Sequence, residues 1–136
     1  MTETWTGGCA CGAVRYEASG DPVFQNHCQC RQCQRASGTG HGSYLSFAGG
    51  VRVEGEVRTF ALLADSGLGK RHGFCPACGT PLLIRPDAAP GIVAVTAGSL
   101  DDPGRFAPAA VTYAGRALGW DPLDPALTAF AAMPPG

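Results

Sequence analysis

The stretch Cys75-Pro76-Ala77-Cys78-Gly79 places two cysteines in a turn, followed by a glycine that can adopt a positive φ. A second pair, Cys9-Ala10-Cys11, lies near the start of the chain among glycines, next to a strand-like segment. Side chains two residues apart on a strand share a face, so the sulfurs of this pair can point at one metal ion. Together the two pairs offer four thiolates, the usual ligand set of a closed tetrahedral zinc site. We therefore expect a site that joins the N-terminal strand to a late hairpin.

Three more cysteines lie between these pairs, in the run Cys28-Gln29-Cys30-Arg31-Gln32-Cys33. Three thiolates leave one position of a tetrahedral zinc ion for water or substrate, which is the pattern of catalytic sites. We predict that the three cysteines hold a second, open zinc site. The alternative is a closed site in which a histidine is the fourth ligand, and the candidates are His27, His41 and His72.

The charge of this second site limits its chemistry. Three thiolates outweigh the charge of Zn²⁺, so the ion should acidify bound water poorly, which disfavours hydrolysis. A soft ligand such as a substrate thiolate suits it better. That ligand would add negative charge, and Arg31 and Arg35, one turn apart if the segment is helical, could supply the balancing cations and contact the substrate. The alternative is that both arginines are solvated on a surface helix.

Length and composition set the broad class. The 136 residues suit one domain over 1–136, and the net charge of −1 gives no electrostatic case for nucleic acid. No run approaches the ~20 apolar residues that cross a bilayer. The first eight residues lack the apolar stretch of an export signal, so we predict a cytoplasmic protein. Thiols stay reduced there, and seven cysteines, an odd number, cannot close a full disulfide framework.

The remaining sequence predicts an all-β protein, mainly of antiparallel strands, with one or two short helices. One helix is predicted over 30–37, ended by Gly38, and the other over 123–131. The segment 65–70 is predicted to be a loop, followed directly by Arg71 and His72. Strands are predicted at 14–17, 23–27, 42–47, 51–54, 57–64, 82–84 and 92–95.

Taken together, the motifs resemble the glutathione-dependent formaldehyde-activating enzyme family, which also includes centromere-protein-V-like proteins. The three cysteine motifs are specific as a set and occur here in the order of the family. The matching segments are Gly7-Gly8-Cys9-Ala10-Cys11-Gly12-Ala13-Val14-Arg15-Tyr16, Cys28-Gln29-Cys30-Arg31-Gln32-Cys33-Gln34-Arg35-Ala36-Ser37-Gly38, Phe74-Cys75-Pro76-Ala77-Cys78-Gly79-Thr80 and Gly98-Ser99-Leu100-Asp101-Asp102-Pro103.

The resemblance implies a β-tent-like zinc fold with one structural zinc and a second, more labile zinc of the catalytic type. For the enzyme that names the family it implies the joining of glutathione and formaldehyde to S-hydroxymethylglutathione, a carbon–sulfur lyase reaction written in reverse. In that scheme the glutathione thiol reaches the second zinc and then attacks formaldehyde. The implied ligands are Cys9, Cys11, Cys75 and Cys78 for the structural zinc and Cys28, Cys30 and Cys33 for the second.

Three functions are therefore considered. The first is a zinc-dependent enzyme that acts on a thiol adduct. The second is a non-catalytic zinc protein that binds or carries glutathione or another thiol. The third is a zinc-stabilised interaction module, as the centromere-protein relatives suggest. An open three-thiolate site favours the first two functions, and a closed fourth ligand would favour the third.

Overall fold

The structure, a computed structural model, describes residues 4–134, and most of its regular elements are strands. In chain order these elements are β1 (Thr4–Gly8), β2 (Arg15–Ser19), β3 (Phe24–Cys28), α1 (Arg31–Ser37), β4 (Gly42–Phe47), β5 (Val51–Glu54), β6 (Arg58–Leu63), β7 (Gly69–Phe74), β8 (Pro81–Pro86), β9 (Val93–Thr96), β10 (Ala110–Thr112) and β11 (Thr128–Ala129). Short 3₁₀ turns lie at Ala97–Ser99, Pro103–Arg105 and Ala114–Arg116.

The strands form two sheets. A three-stranded sheet has the order β1-β2-β5, and an eight-stranded sheet has the order β11-β10-β3-β4-β9-β8-β7-β6. Neighbouring strands in the described residues run antiparallel, except that β10 is parallel to both β3 and β11. The prediction of a mainly antiparallel all-β protein is confirmed, and the described residues contain one α-helix.

The main core lies between the two sheets. Trp5, Tyr16 and Ala18 of the small sheet belong to one buried cluster with Leu45 and Phe47 of the large sheet. The rings of Trp5 and Phe47 meet edge to face, with centroids 6.0 Å apart. Alternating side chains of each strand supply this core, because successive residues of a strand face opposite sides of its sheet.

Strand β4 has buried residues on both of its faces. Leu45 and Phe47 point into the core between the sheets, whereas Tyr44 belongs to a second buried cluster with Cys28 and Ala94. The outer face of the large sheet is therefore covered at this point, and the residues that cover it include the cysteine triplet. The topology thus places the triplet over the centre of the large sheet.

Helix α1 begins and ends as the sequence predicts. Cys30 is its N-cap, and its sulfur accepts a hydrogen bond from the backbone N–H of Cys33 at 3.3 Å. Gly38 closes the helix in the left-handed region at φ 77°, and its N–H donates to the carbonyl of Gln34 at 2.9 Å. This is a left-handed C-cap of the kind that glycine forms without steric cost.

The helix predicted over 123–131 is wrong. That segment forms turns and then strand β11, and directly after this strand the N–H of Phe130 donates to the carbonyl of Val111 at 2.8 Å. Most side chains of the segment are exposed or half-buried. A short helix is stabilised mainly by burying one face, so pairing with β10 satisfies this backbone better than a helix would.

Two smaller expectations also need correction. The loop predicted over 65–70 is shorter than expected and ends before Lys70. The N–H of Ala64 donates to the carbonyl of Leu68 at 2.7 Å, and Lys70 lies in strand β7. Cys9 and Cys11 lie in the loop between β1 and β2, and not on one face of a strand. In the described residues, no helix is long and apolar enough to cross a membrane.

Candidate metal centres

The outer cysteine pairs meet where two hairpin loops approach each other. Cys9 and Cys11 lie in the loop between β1 and β2, and Cys75 and Cys78 lie in the loop between β7 and β8. All four sulfurs lie within 4.8 Å of one another. Cys75 is fully buried and Cys78 is exposed, so the cluster extends from the core to the surface.

Backbone hydrogen bonds shape both loops. The N–H of Cys9 donates to the carbonyl of Val14 at 3.1 Å, and the N–H of Gly79 donates to the carbonyl of Cys75 at 2.8 Å. Thr80 links the loops, because its Oγ1 accepts from the N–H of Ala10 at 3.1 Å. Gly79 has a φ of 79°, which lets the chain turn back after the second cysteine of its pair.

The donor set fits a zinc ion. The Cys9 and Cys11 sulfurs are 3.6 Å apart, and the Cys11 and Cys75 sulfurs are 3.8 Å apart. Four sulfurs around zinc at about 2.3 Å would be about 3.8 Å apart along each edge of the tetrahedron. All seven cysteines are free thiols, so no disulfide competes for these sulfurs. This cluster could hold a metal ion and is compatible with zinc.

The triplet forms a second cluster in a more enclosed position. Cys28 ends strand β3, and Cys30 and Cys33 lie at the start of α1. Their sulfurs also lie within 4.8 Å of one another, and the three residues are only 8%, 2% and 2% exposed, respectively. The hydroxyl of Tyr44 donates to the sulfur of Cys33 at 3.3 Å. This cluster too could hold a metal ion, with a hydrogen bond to one of its sulfurs.

Hydrogen bonds among the three thiols of this cluster shift their pKa values in opposite directions. Hydrogen bonds from Cys28 and Cys33 lower the pKa of Cys30 to about 2, and the backbone N–H of Cys33 and the charge of Lys70 act in the same direction. Hydrogen bonds with Cys28 and Cys30 raise the pKa of Cys33. Cys30 is therefore the first of the three to become a thiolate, which is the form that binds metal.

None of the three histidines joins the triplet. Among residues 4–134 no histidine nitrogen or carboxylate oxygen lies with the three sulfurs as a fourth ligand. His27 Nδ1 is 2.7 Å from the Ser43 hydroxyl, and His41 Nδ1 is 2.6 Å from Asp121 Oδ2. His72 is buried, which lowers its pKa to about 4, and its ring stacks on Phe60. In the described residues the triplet therefore has no histidine or carboxylate beside it, and the open zinc site stays a prediction.

A cavity of about 240 Å³ opens beside the triplet. Apolar side chains, among them Ile84 and Ala94, form much of its wall. Asp65 and Lys70 are the charged residues of its lining within the described part of the chain. Its remaining lining includes Cys28, Cys30, Cys33, Tyr44, Thr112 and Tyr113. A ligand in this cavity would contact the three sulfurs directly.

The arginines that the sequence suggested lie elsewhere. Arg31 and Arg35 are exposed on α1, and neither lines the cavity. Arg31 Nη1 donates to Gln34 Oε1 at 3.0 Å. Substrate contact by these arginines stays a prediction.

Two residues of the cavity were not predicted from the sequence. Tyr44 was not considered as a site residue, and Lys70 was assigned to a loop. The one sequence signal for their position is the alternation of side chains along β4 and β7.

Comparisons with known proteins agree with this architecture. The sequence matches the family described as "Glutathione-dependent formaldehyde-activating enzyme" over residues 4–116. A crystal structure of a Rhodobacter sphaeroides protein, solved as a structural genomics target, matches with a TM-score of 0.56 and 21% identity, over 71% of this chain and 87% of that chain. At this identity the likeness shows the fold alone. No curated protein matches the sequence.

The fold and the two thiol clusters define an all-β protein with two candidate metal centres built from cysteine. The family match covers most of the chain, and it includes all seven cysteines. The chain belongs to the glutathione-dependent formaldehyde-activating enzyme family.

Proposed function

We propose that this protein is a zinc-dependent enzyme of the carbon–sulfur lyase type that acts on a thiol adduct. The reaction would be of the kind that joins glutathione and formaldehyde to S-hydroxymethylglutathione. The observation that carries the proposal is the buried triplet of Cys28, Cys30 and Cys33, which opens on a cavity and has no fourth protein ligand in residues 4–134. Membership of the family supports the same activity.

Each cluster would have its own role. The outer cluster would hold a structural zinc through Cys9, Cys11, Cys75 and Cys78, and the triplet would hold the second zinc. A zinc ion with three thiolate ligands keeps one coordination position open, where it would stabilise the thiol of a substrate as the thiolate. We propose that the whole chain, residues 1–136, is one domain that works in the cytoplasm, where its thiols stay reduced.

The residues around the triplet would bind and orient the thiol. Tyr44 donates its hydroxyl hydrogen to the Cys33 sulfur and so fixes one side of the cluster. Ile84 and Ala94 form part of the apolar wall of the cavity beside the sulfurs. Lys70 brings a positive charge to the same cavity, which favours an anionic sulfur there.

The overall reaction needs no oxidant or reductant. The substrate sulfur forms a bond to the carbonyl carbon of formaldehyde, and the π bond of the carbonyl is lost. The thiol proton ends on the former carbonyl oxygen, which becomes the hydroxyl of the product. The contribution of the chain is to hold the sulfur in its reactive thiolate form in a fixed position.

The direct test is an exchange measurement at equilibrium. Zinc-loaded protein is added to glutathione and ¹³C-labelled formaldehyde, and the rate of interconversion with S-hydroxymethylglutathione is measured by NMR exchange spectroscopy. The expected result is interconversion faster than the spontaneous rate, with the acceleration proportional to protein concentration. The matched control is Cys30→Ser, which should keep the outer zinc and the fold and return the rate to the spontaneous value.

A different result would favour another function. Glutathione that binds the zinc-loaded protein without any acceleration would indicate a thiol-binding or carrier protein. Acceleration that survives Cys30→Ser would place the activity outside the triplet and contradict the proposal.

A further inference from the structure

The cavity beside the triplet contains one cation that has no carboxylate partner in the described part of the chain. Asp65 and Lys70 are the charged residues in the described part of its lining. Asp65 Oδ2 already lies 3.7 Å from Arg116 Nη2. No carboxylate oxygen in residues 4–134 lies within ion-pair distance of the Lys70 ammonium group. Lys70 therefore has no carboxylate partner in the described residues, and its charge acts on the sulfur of Cys30.

The register of the large sheet explains why Lys70 faces the triplet. Lys70 on β7 pairs with Pro86 on β8, and Ile84, two residues before Pro86, pairs with Ala94 on β9. Lys70, Pro86, Ile84 and Ala94 all line the cavity, as expected for one face of the sheet. Lys70 is half-buried in this position.

The neighbouring residue shows the opposite arrangement. Arg71 pairs with Arg85, and both line a different cavity on the other side of the strand. Arg71 Nε also lies 3.7 Å from Asp87 Oδ1. Two adjacent basic residues on β7 therefore differ in their surroundings. Lys70 faces the thiols and has no carboxylate partner in the described residues, whereas Arg71 faces away from the thiols and has one.

We propose that Lys70 is the specificity-determining residue of this site and binds a carboxylate of the substrate thiol. This inference rests on the proposed function, because it concerns the thiol that the triplet receives. A carboxylate is the complementary group for a half-buried ammonium without a partner, since a hydrogen bond between two charged groups is stronger than one between neutral groups. Thiols that also carry a carboxylate, placed so that it reaches Lys70 when the sulfur lies at the triplet, are thus the substrate class of this protein.

The size of the cavity supports a short distance between sulfur and carboxylate. At about 240 Å³ it is smaller than the roughly 300–1,000 Å³ of pockets that enclose a drug-sized ligand. It therefore encloses the thiol end of a substrate and one nearby carboxylate. The rest of a larger molecule would lie outside, so the contact with Lys70 selects thiols whose carboxylate can enter the cavity together with the sulfur.

The test compares two thiols of the same chain length, one with a carboxylate and one with an uncharged ester, namely 3-mercaptopropionate and its methyl ester. Their affinities for the zinc-loaded protein are measured by isothermal titration calorimetry, and the zinc content of each sample is checked by elemental analysis. The unmodified protein should prefer the carboxylate by about tenfold or more, the size of one hydrogen bond to a charged group. Lys70→Met should abolish this preference, and Lys70→Arg should retain most of it.

Arg71→Met is the matched control, because it removes a cation from the same strand on the face away from the triplet. It should leave the preference for the carboxylate unchanged. If Lys70→Met weakens the binding of both thiols equally, the lysine acts on the thiolates alone. That result would overturn the inference. Absence of binding for either thiol would instead contradict the proposed function, and with it this inference.

Discussion

At the scale of single residues, the two clusters differ in how their sulfurs are held. In the outer cluster, Cys75 is fully buried and Cys11 is exposed, and the sulfurs come from two loops far apart in the chain. In the triplet all three cysteines are buried and come from one short segment. Loss of one cysteine of the outer cluster should therefore damage the fold. Loss of one cysteine of the triplet should instead damage the site that binds the substrate.

Cys75→Ser should prevent stable folding. Structural zinc contributes on the order of 10–16 kcal/mol, and a typical domain is stable by only about 5–15 kcal/mol. The expected result is a chain without cooperative unfolding, measured by circular dichroism during heating, and with little bound zinc. Cys28→Ser is the control, and we expect it to unfold cooperatively with one zinc ion retained. A folded Cys75→Ser protein would show that the outer cluster is not the structural site.

Tyr44→Phe should weaken metal binding at the triplet and leave the fold intact. The change removes only the hydroxyl that donates to the Cys33 sulfur at 3.3 Å, and the ring keeps its place in the buried cluster. Loss of a hydrogen-bonding partner of a metal ligand typically costs about 10–100-fold in affinity. The measurement is a competitive zinc titration with a chromophoric chelator. An unchanged affinity would mean that the hydrogen bond does not tune the site.

At the scale of elements, two contacts connect segments that are distant in the sequence. The Tyr16 hydroxyl on β2 lies 2.7 Å from the Ser99 hydroxyl, and Arg15 forms an ion pair with Asp101. Two of the segments that carry the family resemblance, 7–16 and 98–103, thus contact each other. Helix α1 also matters for the site, because Cys30 and Cys33 lie at its start.

Gly38→Ala should destabilise the protein by about 1–2 kcal/mol, the cost of a left-handed conformation for a residue with a Cβ. Gly38 has a φ of 77° at the C-terminus of α1. Gly91→Ala is the matched control, because Gly91 does not have a positive φ and an added Cβ there meets no atom within 4 Å. Urea unfolding of both variants measures the difference, and equal stability of the two would refute the argument from backbone strain.

At the scale of the whole molecule, the two clusters occupy different structural positions. The outer cluster joins the loop between β1 and β2 to the loop between β7 and β8, and so links the small sheet to the large one. The triplet lies over the outer face of the large sheet and opens on a cavity. A metal ion at the outer cluster would therefore connect the two sheets, whereas one at the triplet would face the cavity.

Zinc should therefore leave the protein in two stages. Mild chelation is expected to remove one zinc ion from the triplet, which offers three ligands, without loss of the circular dichroism spectrum. Stronger chelation should remove the second ion and unfold the chain, because metal binding and folding are coupled at a structural site. Elemental analysis at each stage gives the count. Simultaneous loss of both ions with unfolding would contradict the separation of roles.

Most of the fold class and the grouping of the cysteines could be predicted from the sequence. The spacing of Cys28, Cys30 and Cys33 and the glycine at 38 predict α1 and the triplet at its start, because these are local features of the chain. The helix expected over 123–131 was wrong, since pairing with β10 is not visible locally. The position of Lys70 was missed for a similar reason, because it depends on where the hairpin between β6 and β7 closes.

The sequence by itself determined which residues can ligate a metal, since thiol chemistry and short spacing are properties of the chain alone. Only the tertiary structure decided that no histidine completes the triplet in the described residues and that Tyr44 and Lys70 face it. It also placed Arg31 and Arg35 at the surface. The physical reason is that a side chain meets its partners through the register of neighbouring strands, and that register is set by the packing of the whole sheet.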